Sequence, residues 1–168
     1  MRSMMVAATL ACASPLSAQG LHVQFQDGAP KDTLTFRNDG CPLTETTIVI
    51  DLRGTPAGLI FDVTSAGAGV EVFQPVEAVT GTVSISPVAD GAQVLHLYVP
   101  SLPSGDMLQL TADLDDTTSG RQITVLGSEM MGATVSVSIN DSVQTAPFDT
   151  EGRALVTLPR NAEGCVAA

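Results

Sequence analysis

Apolar and polar residues alternate with a period of two along most of this chain. Leu21, Val23 and Phe25 alternate with His22, Gln24 and Gln26. Asp27-Gly28-Ala29-Pro30 breaks the pattern as a turn, and Leu34 and Phe36 resume it between Thr33, Thr35 and Arg37. Residues 46–52 are β-branched and nearly continuously apolar, which predicts a central strand. Residues 58–75 predict a hairpin that supplies a main share of the core. Leu59, Phe61 and Val63 alternate on its first arm. Gly67 and Gly69 provide the turn, and Val70, Val72 and Phe73 lie on the second arm. Two of the five Phe of the chain, Phe61 and Phe73, sit in this stretch.

Further runs follow at residues 82–86 and 94–99 on either side of Asp90-Gly91, a strong hairpin signal. Others occupy 107–112, 121–126, 133–139 and 155–158. The total is roughly ten short strands at intervals of about 8–12 residues, with no convincing amphipathic helix. This pattern predicts an all-β fold, an antiparallel β-sandwich of jelly-roll or immunoglobulin-like type. Length and the absence of a linker predict one domain over residues 19–168.

Composition changes the picture in two ways. Aromatic residues make up only 4% of the chain, so Val, Ile, Leu and Ala must fill the interior. The formal charge is −11, from 18 acidic and 7 basic side chains. Nucleic acid is excluded as a natural partner because phosphate binding needs a basic patch. Cations are the natural counterparts, although acidity also serves solubility alone.

Residues 1–18 read as an export signal: Arg2, a short apolar run, then Ser14-Pro15-Leu16-Ser17-Ala18 before the expected cleavage. Lipoprotein processing at Cys12 is the less favoured alternative. No later stretch is long and apolar enough to span a bilayer as a helix. Loss of the signal removes one positive charge and leaves −12. It also leaves Cys41 and Cys165, an even pair in an oxidising compartment and therefore an expected disulfide.

Asp113, Asp115 and Asp116 form the densest acidic cluster. On a strand, Asp113 and Asp115 share a face. Crowded carboxylates repel unless neutralised, and Ca²⁺ takes 6–8 oxygen ligands. Asp62, Glu71 and Glu129 are candidate contributors if their loops meet this one. The competing reading is an ordinary acidic turn, and the spacing is not that of an EF-hand. Catalysis finds little support. There is no nucleophile elbow, paired-His metal motif or phosphate loop, and His22 and His96 are isolated in their strands. A carboxylate-based hydrolase is the remote alternative.

Several motifs resemble those of bacterial proteins of the aggregation factor core family, named for an adhesion proteoglycan of marine sponges. They are Asp27-Gly28-Ala29-Pro30-Lys31-Asp32, Gly58-Leu59-Ile60-Phe61-Asp62-Val63, and Gly67-Ala68-Gly69-Val70-Glu71-Val72-Phe73-Gln74-Pro75. Asp113-Leu114-Asp115-Asp116-Thr117 and the run from Gly120-Arg121-Gln122 through Gly132-Ala133-Thr134-Val135 continue the order. The resemblance covers most of residues 25–137. It implies an extracellular module that adheres or self-associates, with calcium as its ion; no binding residue is carried over. The expected function is therefore a secreted or periplasmic, non-enzymatic adhesion module. A glycan-binding, lectin-like module is the first alternative.

Overall fold

The computed structural model describes residues 19–65, 72–118, 124–140, 142–161, 164 and 165. Two antiparallel sheets form the expected sandwich. The first contains β1 (Gly20–Gln26), β2 (Asp32–Asn38), β4 (Ile60–Asp62), β5 (Glu77–Thr80), β8 (Met107–Asp115) and β11 (Arg153–Thr157), in the order β11-β1-β2-β8-β4. β5 also pairs with β8, so β4 and β5 share its outer edge. The second sheet contains β3 (Leu43–Asp51), β6 (Ser84–Ile85), β7 (Val94–Leu102), β9 (Thr134–Ile139) and β10 (Ser142–Pro147), in the order β10-β9-β3-β7-β6. β12 (Arg160–Asn161) and β13 (Gly164–Cys165) form a separate short ladder.

Alternation builds the core, because every second side chain on a strand points to the same face. Leu21, Val23 and Phe25 of β1, Leu34 and Phe36 of β2, and Leu108, Leu110 and Leu114 of β8 are buried on one side. Ile48 and Ile50 of β3, Leu95 and Leu97 of β7, and Val135 and Val137 of β9 are buried on the other. All belong to one continuous apolar cluster. The central-strand expectation for 46–52 holds: β3 is paired on both sides, by β7 and β9.

The hairpin expected over 58–75 needs correction. Its first arm forms as β4, and Phe61 is fully buried. Its ladder partner is β8, with Asp62 opposite Asp113, and Phe61 also bridges Ala92. Val72 and Phe73 are not in a strand, and Phe73 is 70% exposed. Among the described residues, the two arms meet in a single hydrogen bond, Gln74 N–H to Val63 O at 3.2 Å. The edge that the second arm needed is occupied by β8. The turn residues 66–71 lie outside the described residues. The run at 121–126 also differs from expectation. Its described part, 124–126, is irregular and leads into a 3-10 turn, Gly127–Met130.

The Asp90-Gly91 connection does join β6 to β7, with Gly91 at φ 73. Its ladder is shorter than the alternation suggested, covering only Ser84 and Ile85.

Cys41 and Cys165 form a disulfide. It ties the β2–β3 connection to the C-terminal segment and implies an oxidising, non-cytoplasmic compartment. Asn38, fully buried, fastens the same region. Its Nδ2 donates to Cys41 O and Leu102 O, and its Oδ1 accepts from Gly40 N–H. Among the described residues, no helix is long and apolar enough to cross a membrane. The signal expected over residues 1–18 lies outside the described residues.

Candidate functional site

Carboxylates converge where β4 runs beside the end of β8. Asp62 stands directly opposite Asp113 in the antiparallel ladder, and Ile60 stands opposite Asp115. Facing residues in such a ladder have Cβ atoms roughly 4.5–5.5 Å apart, and like charges there are destabilising. Asp62, Asp115 and Asp116 are almost fully buried, while Asp113 keeps some exposure. Gln74 reaches in from the segment before β5, and its Nε2 donates to Asp113 Oδ2 at 2.6 Å. The Oε1 of Gln74 is buried and has no hydrogen-bond partner among the described residues.

Burial pushes the Asp113 carboxyl up to about 6, the Asp62 charge adds to this, and Lys31 and Gln74 oppose it. Lys31 is anchored close by, donating from Nζ to Pro75 O at 2.5 Å and to Glu77 Oε2 at 2.7 Å.

Two further carboxylates complete the corner. Asp32 Oδ1 accepts from Gly28 N–H at 3.0 Å, and its Oδ2 accepts from Leu114 N–H at 3.1 Å. It thereby fastens the turn before β2 onto β8. Burial outweighs those two amide bonds and pushes its carboxyl up to about 7. Asp90 Oδ1 accepts from Val63 and Thr64 N–H, which hold its carboxyl below the usual range.

Of the six residues proposed as ligands, Asp62 and Asp113 are brought face to face, with Asp115 next along β8. Asp116 Oδ1 accepts from Thr118 N–H. Glu129 accepts from Leu126 N–H at 2.7 Å, which closes the 3-10 turn instead of serving the corner. Glu71 lies outside the described residues. Among the described residues, no group of three or more His, Cys, Asp or Glu side chains is arranged to hold a metal ion. The oxygen donors at hand are the Asp62 and Asp113 carboxylates and Gln74 Oε1, short of the 6–8 that Ca²⁺ takes.

Sequence reasoning missed Asp32, Gln74 and Asp90. Only Asp90 carried a local signal, and its Asp-Gly pair was read as turn chemistry alone.

No protein-family model matches this chain, and no curated protein matches it either.

Proposed function

We propose that this chain is an exported, non-enzymatic β-sandwich module that works in extracellular adhesion or self-association, with Ca²⁺ as an assisting ion. The observation that carries this reading is the edge formed by β5. All four of its residues are exposed, and β8 is its one ladder partner among the described residues. Val79 of β5 is 58% exposed, and the segment that leads into β5 carries Val72 and Phe73, at 50% and 70%. Exposed edges and apolar patches are where sheets meet other chains. Glu77 and the register shift between Ala78 and Thr80 restrain indiscriminate strand addition. That leaves the apolar side chains as the adhesive element.

The acidic corner supports the ion. Ca²⁺ between Asp62 and Asp113 would offset their repulsion and supply Gln74 Oε1 with a partner. The test is mass by light scattering across a concentration series, with Ca²⁺ and with chelator, on wild type and Phe73→Asp. The expected result is concentration-dependent association of the wild type that Phe73→Asp abolishes. A monomer under every condition would refute the reading. Melting curves on the same samples test the ion. At roughly tenfold over its dissociation constant, Ca²⁺ stabilises by about 1.4 kcal/mol. Superimposable melts with Ca²⁺ and chelator would remove calcium and leave the adhesive edge standing.

A further inference from the structure

The outward face of β11, β1 and β2 carries a shallow groove of about 470 Å³, at the opposite edge of this sheet from β5. Small-molecule sites occupy roughly 300–1,000 Å³. Register places its side chains in two rows. His22 lies between Arg37 and Leu155, and Gln24 lies between Thr35 and Arg153. These positions face outward because Leu21, Val23 and Phe25 are turned into the core.

The long polar side chains in these rows are held by one another. Arg153 Nε donates to Gln24 Oε1 at 2.9 Å. Gln24 Nε2 donates to Phe25 O at 2.6 Å and to Glu151 O at 3.2 Å. Arg37 pairs with Asp39 at 2.5 Å, and His22 Nε2 lies 3.5 Å from the same carboxylate. Asp149 Oδ1 accepts from Glu151 and Arg153 N–H, which shapes the adjoining turn. Rotamer freedom is thus surrendered before any ligand arrives, and binding costs less.

Charge and chemistry select the ligand. The two guanidinium groups are paired, Arg37 with Asp39 and Arg153 with Glu151, and Asp149 also lines the groove, so it has no positive excess. A polyanion would also meet the repulsion of a chain at −11. An apolar ligand would strip water from the exposed Arg37 and Arg153 side chains and offer nothing in its place. A neutral hydroxyl-rich chain suits both, since each hydroxyl donates and accepts. Leu155 and the Thr35 methyl offer contact for its C–H faces. Arg37 and Arg153 lie two strands and two residues apart, roughly 12 Å between Cα atoms by ideal sheet spacings.

We propose that the outer face of β11-β1-β2 binds a short neutral saccharide segment, with Gln24, Arg153, Arg37 and His22 as its hydrogen-bonding groups. This rests on the adhesive reading, for which the saccharide is the partner.

The test is calorimetric titration with cellohexaose, maltohexaose, mannohexaose and chitohexaose, and with heparin as the anionic comparison. At least one neutral probe is expected to bind. Arg153→Ala and Gln24→Ala are expected to weaken it tenfold or more, the equivalent of about 1.4 kcal/mol. Arg153 is exposed and Gln24 half-buried on the outer face, so the melting temperature should move far less than the affinity. Arg153→Lys, which keeps the charge and loses the fork, should retain only part of the affinity. The proposal is overturned if none of the four binds, if the variants bind as well as wild type, or if heparin binds more tightly than every neutral probe. Scattering on the same samples keeps the two readings apart. Association without sugar binding ends the groove alone. Sugar binding by a strict monomer supports the groove and ends self-association.

Discussion

Acidification should stabilise this protein, against the usual behaviour of acidic domains. The Asp32 carboxyl is shifted from 3.8 to about 7 in the folded chain, with burial as the main cause. A carboxyl whose folded value is raised favours the protonated fold. Its contribution is fully present below 3.8 and is lost as the pH rises through about 7. Between pH 8 and pH 5, linkage from these two values gives a gain of about 2.5 kcal/mol from Asp32 alone. Asp113, raised to about 6, acts in the same direction over a lower window, and its partial exposure makes its share smaller. Asp51 and Asp90 are lowered, so their contributions are lost only at more acidic pH. Relief of general repulsion also favours acid, but salt screens that effect and leaves a buried group almost untouched. The assay is urea unfolding at pH 8, 7, 6 and 5, at low and high salt, for wild type and Asp32→Asn. Wild type should gain about 2.5 kcal/mol at either salt, and the variant should lose most of that slope. A wild-type stability that is flat or falls from pH 8 to pH 5 would refute the reasoning, as would an equal slope in Asp32→Asn.

Two other outcomes follow from the fold. Asn38→Leu removes three buried hydrogen bonds of 2.8–2.9 Å and strands the carbonyls of Cys41 and Leu102. It should cost about 3–4 kcal/mol by urea unfolding, and a loss under 1 kcal/mol would contradict the role given to Asn38. Reducing the Cys41–Cys165 disulfide, whose partners are 124 residues apart, should cost up to about 5 kcal/mol, with no free thiol detectable before reduction in the chain lacking residues 1–18.

The two faces of the sandwich were legible because one side of each strand is buried and the other wet. That condition writes a period of two into residues such as Leu21-Val23-Phe25 and Val135-Val137-Ile139. The pattern states which face a side chain occupies, but not which strand lies alongside. Hence Phe61 was placed in the core and its ladder partner was not found. Phe73, expected on the second arm of that hairpin, is exposed, and residues 72–75 are not in a strand. The disulfide was readable by parity of Cys once residues 1–18, with Cys12, are read as a signal. The acidic corner was half readable. Asp113 stood out in the densest acidic cluster and Asp62 as a candidate contributor, but their meeting depends on the β4–β8 register. Asp32 acts on Leu114, 82 residues away, and Gln74 acts on Asp113, 39 residues away. No local pattern encodes such distances.

The charge of −11 is not enough to explain the corner. Solubility is served by exposed carboxylates, whereas Asp32, Asp62, Asp115 and Asp116 are at most 3% exposed. Backbone capping accounts for some of them. Asp32 holds two amides, Asp90 holds two, and Asp116 holds one. It does not account for Asp62 facing Asp113, where a Thr or Asn on either strand would remove the repulsion. Asp113→Asn therefore separates two explanations of that pair. If the pair only packs, the variant is at least as stable as wild type, and Ca²⁺ moves neither melt. If it ligates, wild type gains stability with Ca²⁺, and the variant is stabilised at the outset and indifferent to the ion. The difference between those two melts, with and without Ca²⁺, assigns the corner either to folding or to binding.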